Sequence, residues 1–396
     1  MDSKLQSFKL EIREEMQRIL EWWRKYSPDE RNGGFAGEID QFNRQLPQAD
    51  KGSVLHARIL WTFSSAYRHS RQEVDLDLAF RAYEFIVQKF YDKTWSGVFW
   101  SVRADGTILS DRKQSYAIAF AIYGLAEFYK VTGDAGGLQL AVELYHALES
   151  RSLDPLEGGY FEAFTRDWQK LEEVRLSQKD RNDPKTMNTH LHLIEAYANL
   201  YRVWRDDRLE HSIRHLLKVF EQRIMDKTNH HLRLFFEADW KPTSERISYG
   251  HDIEASWLLH DAAKELQDPI LDKRWSAIAI QIADASVGGL QADSSFIHEA
   301  DPRSGYLDQH REWWVSAEGM VGYLNAWKLS GDRVYLERVY GLWNFIKKHL
   351  LDLDRGEWHW GVYPDYTRMP EYKMGFWKCP YHNFRACLEI LDLLKE

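Results

Sequence analysis

GVFWSVRADGTILSDRKQSYAIAFAIYGLAEFY, residues Gly97 to Tyr129, contains one complete structural unit. Its first ten residues open with a glycine and alternate apolar with polar side chains over a few positions, as a short strand or hairpin does. A polar loop follows. The end, YAIAFAIYGLAEFY, is almost entirely apolar and small, the pattern of a helix packed on more than one side.

Working outward, the same succession of glycine-marked aromatic segment, polar loop and helix recurs about every 55 to 75 residues. Six segments begin near Gly33 (GGFAGEID), Gly97 (GVFWSVRADG), Gly158 (GGYFEAFTRDW), His231 (HLRLFFEADW), Gly288 (GGLQADSSF) and Gly356 (GEWHWGVYPD). Apolar spacing of three and four predicts a helix after each: Val54 to Tyr67, Tyr116 to Tyr129, Met187 to Trp204, His251 to Leu266, Trp313 to Leu329 and Tyr381 to Leu394. Six more helices lie between them, at Leu5 to Tyr26, Val74 to Phe90, Ala135 to Glu149, Arg208 to Met225, Ile270 to Val287 and Arg333 to Leu350. The turns Gly133-Asp134, Asp206-Asp207 and Gly331-Asp332 are short and polar, so consecutive helices are expected as antiparallel neighbours.

Six such pairs close most simply into one double-walled toroid, the first set inside and the second outside; an open solenoid is the alternative. Charge agrees with the assignment of walls. The helix from Arg333 to Leu350 carries Arg333, Glu337, Arg338, Lys347 and Lys348, which suits an outer ring. All 396 residues are therefore expected in a single, wholly α-helical domain with short hairpins in the loops at one end.

Bulk composition narrows the function. The 52 Lys and Arg against 61 Asp and Glu give a net charge of −9 with no basic tract, which argues against nucleic acid. Leu5 to Tyr26 interleaves charges with apolar residues, unlike a signal peptide or membrane span, so a cytoplasmic location without membrane association is expected. Cys379 and Cys387 are expected to be reduced and buried. No glycine-rich phosphate loop, serine nucleophile elbow or CxxC pair is present. The 14% aromatic content, with 17 Trp, suits a large core or a carbohydrate cleft where CH groups stack on rings.

All the long loops enter the inner helices at their N-terminal ends, so chemistry is expected at that mouth. The entries are rich in polar and aromatic residues: His56 and Arg58; Tyr116; Asn188, His190 and His192; His251 and Glu254; Trp313, Trp314 and Glu318; Trp377, His382 and Arg385. Helical spacing gives Asn188 and His192 one face, His251 and Glu254 another, His382 and Arg385 a third. Each has a plainer reading: a histidine as cap or packed core residue, Arg58 as an ion-pair partner, Tyr116 and Trp314 as core, Glu254 as satisfying its own helix. His190 and His192 resemble a metal-ligand pair, but two residues apart on a helix they diverge, and no metal is expected.

Five stretches then resemble one family: KGSVLHARILW from Lys51, MNTHLHLIEAY from Met187, SYGHDIEASWLL from Ser248, EWWVSAEGMVGY from Glu312 and FWKCPYHNFRACLE from Phe376. In order and across the whole chain they are similar to the N-acylglucosamine 2-epimerase family, and within it to the cellobiose 2-epimerases. The resemblance implies an (α/α)6 barrel, a monomer, and epimerisation at C2 of a reducing sugar without a cofactor. It implies His251 and His382 as the acid and base, with Glu254 orienting or polarising His251. His192 and Asn188 would assist ring opening and hold sugar oxygens, Arg58 would stabilise charge on the oxygen at C1 or C2, and Tyr116 would hydrogen-bond the sugar. Trp314 and Trp377 would stack on two sugar rings, and Asp180 matches a loop carboxylate. The substrate expected is the reducing-end glucose of a β-1,4-linked disaccharide, cellobiose or lactose, reached through an enediolate. The alternatives are a 2-epimerase or aldose-ketose isomerase acting on free mannose or glucose, a glycoside hydrolase using Glu254 and Glu318, and a barrel that only binds carbohydrate.

Overall fold

The computed structural model describes residues 3–178 and 180–395, and among these twelve α-helices appear. They are α1 (Ser3–Tyr26), α2 (Ser53–Ser70), α3 (Glu73–Phe85), α4 (Ser115–Thr132), α5 (Ala135–Arg151), α6 (Met187–Tyr201), α7 (Asp207–Val219), α8 (Tyr249–Glu265), α9 (Pro269–Ala285), α10 (Trp313–Ser330), α11 (Arg333–Phe345) and α12 (Tyr381–Leu393). Each expected helix is present. Three outer helices end differently from the even 3.6-residue reading: α3, α7 and α11 widen into a π-helical turn at Ile86–Phe90, Phe220–Ile224 and Ile346–Leu350. The wider turn ends on Phe90, Ile224 and Leu350, all fully buried in the wall.

Burial separates the two walls. Helices α2, α4 and α10 are buried without a break from Ser53 to Ala66, Ser115 to Phe128 and Trp313 to Ala326. The outer α7 buries only a stripe containing Leu209, Ile213, Leu216 and Leu217. Inner helices α2, α4, α6, α8, α10 and α12 pack in sequence, and α12 returns to α2, so the ring is closed rather than an open solenoid. The sixth pair is formed by the two ends of the chain, α12 inside and α1 outside.

The Gly-Asp dipeptides work as a stop and a start. Gly133 and Gly331 adopt φ of 70° and 73° to end α4 and α10, where a side chain would be strained. Asp134 and Asp332 then cap α5 and α11 by accepting from Gly137 N and Val334 N.

The glycine-marked segments form strands of only two or three residues, and they stitch one repeat to the next. Lys51–Gly52 pairs with Ser101–Val102, Lys113–Gln114 with Ala163–Phe164, Lys185–Thr186 with Phe235–Phe236, Ile247–Ser248 with Glu299–Ala300, and Arg311–Glu312 with Gly361–Val362. A bridge between Ile39 and Met374 completes the belt. It also caps the inner helices, whose first N–H groups have no partner within the helix. Ser53, Ser115, Met187, Tyr249 and Trp313 donate their N–H to the carbonyls of Trp100, Glu162, Leu234, His298 and Trp360.

Buried lysines hold the belt to the glycine turns. Lys51 binds Asp29 at 2.8 Å, Lys113 binds Asp92 at 2.9 Å, Lys185 binds Asp154 at 2.6 Å and Lys373 binds Asp352 at 2.8 Å. Ring closure has its own polar knot: the carboxylate of Glu357 accepts from Trp23 of α1, from Lys378, and from Asn383 of α12. Cys379 and Cys387 are free and buried. No helix among the described residues is long and apolar enough to cross a membrane.

Candidate active site

The repeat register arranges the mouth of the barrel. Counting from the last strand residue before α2, α4, α6, α8 and α10, the sixth residue is Arg58, Phe120, His192, Glu254 and Glu318. The second residue is Tyr116 in α4, Asn188 in α6, Gly250 in α8 and Trp314 in α10. Second and sixth positions are four apart and share the face toward the axis. The fourth position points away, and there His56 and His190 bind only backbone. Each gives Nδ1 to a carbonyl one turn back, Gly52 or Thr186, and receives at Nε2 the N–H of Phe35 or Tyr160. Burial holds both rings neutral, pulled down to about 3. His190 is therefore a structural residue turned away from His192.

On the floor, the Arg58 guanidinium lies 4.1 Å from the centre of the Phe120 ring and 4.5 Å from that of Tyr381. It donates to the Tyr116 hydroxyl at 2.8 Å. Burial opposes its charge, but the surrounding Tyr116, Cys379, Tyr381 and Glu254 hold it protonated. Beside it, His192 packs on Phe120 and Tyr116 and directs Nδ1 to Glu195 at 2.8 Å. Burial draws this imidazole below its ordinary value, against the pull of Glu195.

Arg385 of α12 ties the floor together. Its guanidinium binds Glu195, the Tyr381 hydroxyl, Glu254 at 2.9 Å and Glu318 at 2.7 Å. Glu318 also accepts from Nδ1 of His382 at 2.7 Å and from Trp257 Nε1 at 3.0 Å. The imidazoles of His192 and His382 are thus linked through Glu195, Arg385 and Glu318. Burial, with Arg58, Arg385 and His192 adding positive charge, keeps His382 well below its usual value. Burial and the neighbouring Glu318 push Glu254 well above the carboxylate range, against the pull of Arg385. Ligand atoms of Glu254, Glu318 and His382 come close enough to hold a metal ion, but the cation both carboxylates bind is Arg385.

Above the floor, the Trp314 indole touches both remaining histidines, with ring centres 4.9 Å from His251 and 5.6 Å from His382. Gly250 makes this possible, because a Cβ there would lie 2.6 Å from the edge of that indole. His251 sets Nδ1 against the Ser248 hydroxyl at 2.7 Å. Burial and the charges of His298, His192 and His382 hold it well below the ordinary histidine value. A cavity beside it is lined by Asn188, Asp180, Leu176 and Glu299. The Asn188 Oδ1 is buried without a hydrogen-bond partner, while Asp180 accepts from Ser177. Trp377 packs against Tyr116 and Trp100.

All ten residues anticipated from sequence thus lie at this mouth, with one reassignment. Glu254 makes no hydrogen bond or ion pair with His251. It binds Arg385 and lies 3.9 Å from Nδ1 of His382, because the guanidinium arriving from α12 draws it to the floor while Ser248 draws His251 upward. Sequence reasoning missed Glu195, Tyr381 and Ser248. Glu195 and Ser248 each stand three residues from a site histidine, a spacing that signals a shared helix face or an N-cap.

Comparison with known proteins identifies the family. The sequence profile of the N-acylglucosamine 2-epimerase (GlcNAc 2-epimerase) family matches residues 33–386. A cellobiose 2-epimerase of Bacteroides fragilis is 47% identical over 386 residues, covering 96% of this chain and 98% of its own length. One from Dictyoglomus turgidum is 37% identical over 99% of both chains. The solved structure of the cellobiose 2-epimerase from Bacillus thermoamylovorans superposes with a TM-score of 0.94 at 37% identity, covering 98% of this chain and 99% of that one. The fold is the (α/α)6 barrel, and the chain belongs to the N-acylglucosamine 2-epimerase family as a carbohydrate epimerase, an isomerase.

Proposed function

We propose that the protein inverts C2 of the reducing-end glucose of β-1,4-linked disaccharides, turning cellobiose into glucosyl-mannose and lactose into epilactose. The observation that carries this reading is the meeting of His251 and His382, from different repeats, on one indole above a buried arginine. The substrate class rests on the cellobiose 2-epimerases to which the chain is similar over nearly its full length.

Only the open aldehyde form makes the C2 proton acidic enough to remove. Ring opening moves a proton from the C1 hydroxyl to the ring oxygen, a task suited to His192, with Asn188 holding sugar hydroxyls. One imidazole of the His251 and His382 pair takes the C2 proton, and the electron pair moves into an enediolate. Arg58 sits where a permanent positive charge stabilises the enediolate oxygen. The other imidazole returns a proton to C2 from the opposite face, and the ring closes. Histidine suits both roles because one ring nitrogen takes up or gives back a proton while the other stays hydrogen-bonded to the protein. Trp314 and Trp377 offer faces for the two sugar rings, and Asp180 a carboxylate for a hydroxyl.

Incubation with cellobiose, lactose, mannose and N-acetylglucosamine in deuterated water, read at C2 by NMR, tests the proposal. Deuterium at C2 of the reducing glucose, with growth of the manno epimer, is expected for the disaccharides. A ketose product, release of monosaccharide, or absence of exchange would overturn it.

A further inference from the structure

Three imidazoles surround the proposed reaction centre, and their Nδ1 partners differ. His192 has the carboxylate of Glu195, and His382 has that of Glu318. His251 has the hydroxyl of Ser248. Ser248 is fully buried, lies in the stitching strand opposite Glu299, and caps α8 through the N–H of His251. Its Oγ makes no other hydrogen bond among the described residues, so the hydroxyl is committed to this histidine. With Nδ1 held there, Nε2 is the nitrogen left for the cleft.

We propose that Ser248 is a positioning residue for epimerisation: its hydroxyl, standing where the other two site imidazoles have a carboxylate, aims Nε2 of His251 and leaves the protonated ring without an anionic partner. His251 then gives up a proton more readily than His382, whose cation Glu318 supports. This inference rests on the epimerase reading above.

The surroundings of His251 reinforce the difference. From the segment before Glu299–Asp301, His298 packs edge-to-face with Trp314, with ring centres 5.4 Å apart. Burial opposes its charge, but Glu312, Asp308 and Glu299 raise it to about 9, which leaves a cation on that side. His192 of α6 and His382 of α12 add to the positive field when charged. Across the cavity, the loop before α6 brings Arg175 and Arg181 as well as Asp180. No carboxylate comes within ion-pair distance of His251 among the described residues, whereas His382 has Glu318 at 2.7 Å and Glu254 at 3.9 Å.

The proton count closes in the direction where His251 is base. The C2–H bond breaks, a proton joins Nε2 of neutral His251, and the electron pair passes into the enediolate. The Nε2–H bond of protonated His382, whose cation Glu318 supports, then breaks and a new C2–H bond forms on the other face. Net charge is unchanged, and both rings reset by exchange with water.

The test uses Ser248→Ala, Ser248→Thr and Ser248→Asp, since Thr and Asp also cap helices. With 15N-labelled histidine, NMR reads the tautomer and titration of His251 without substrate. Wild type is expected to hold His251 neutral at pH 7. In Ser248→Asp the titration should move up by about 1 to 3 units, as for a group given an opposite charge. Deuterium exchange at C2 should show the same displacement in the pH profile of kcat. Ser248→Ala should lose about 10-fold to 100-fold in kcat with little change in KM, and Ser248→Thr should recover most of it. An unmoved titration in Ser248→Asp, a charged His251 in wild type at pH 7, or wild-type kcat in Ser248→Ala would each overturn the proposal. A wild-type protein that exchanges no C2 proton would instead overturn the epimerase reading, while the NMR titration still judges the Ser248 contact.

Discussion

His190 and His192 stand two residues apart on one helix and meet different surroundings. His190 holds the backbone of the Tyr160 segment, so His190→Ala leaves a buried N–H unpaired and should cost about 1 to 3 kcal/mol in chemical denaturation, with C2 exchange per folded molecule retained. His251→Ala and His382→Ala should do the reverse, lowering turnover by about 10²-fold to 10⁴-fold with the melting curve little changed. Wild-type turnover in either purified variant would remove that residue from the mechanism. The divergence of the two α6 histidines follows from helical spacing alone, and so does the shared face of His382 and Arg385. The partner of Glu254 did not follow, since spacing along α8 carries no information about a guanidinium arriving from α12.

At the scale of elements, the inner helices and the Gly-Asp turns were legible because both are local: apolar spacing, a left-handed stop and a capping carboxylate lie within a few neighbouring residues. The partners of the short strands were not, because two-residue pairings between repeats leave no periodic trace. The π-helical ends of α3, α7 and α11 were missed for a similar reason, since one widened turn hardly changes the apolar rhythm. Gly250 shows how an element shapes the site without chemistry of its own. Gly250→Ala places a methyl against the Trp314 indole, which must shift away from His251 and His382. Activity should fall by about 10²-fold, the usual effect of displacing a reacting geometry by an ångström, while far-ultraviolet circular dichroism stays unchanged. Unaltered kinetics in this variant would show that the indole does not set the spacing of the two imidazoles.

For the molecule as a whole, stability rests on repeated buried ion pairs as well as on the apolar walls. Burial alone would raise the Asp29 carboxyl, but Lys51 and Asn32 bring it down to about 2. A carboxyl lowered by folding stabilises the native state above its unfolded value near 4 and loses that contribution as the pH falls through 2. The burial of Lys51, which lowers its ammonium, offsets part of the gain. Asp29→Asn should therefore cost about 2 kcal/mol at pH 7, and the gap from wild type should narrow in thermal melts between pH 4 and 2. A gap independent of pH would mean that the turn around Asp29, rather than its charge, supplies the stability.

The pairing of α12 with α1 has a consequence for the chain as it leaves the ribosome. His382 and Arg385 lie on the last of the twelve described helices to be synthesised, and until it emerges α1 lacks the inner helix with which it pairs. Until then five pairs form an arc with an unsealed seam, and Glu195, Glu254 and Glu318 lack the guanidinium that neutralises them. Ribosome-held chains ending before Tyr381 should thus be protease-sensitive along α1 and devoid of turnover, and both properties should change together once α12 emerges.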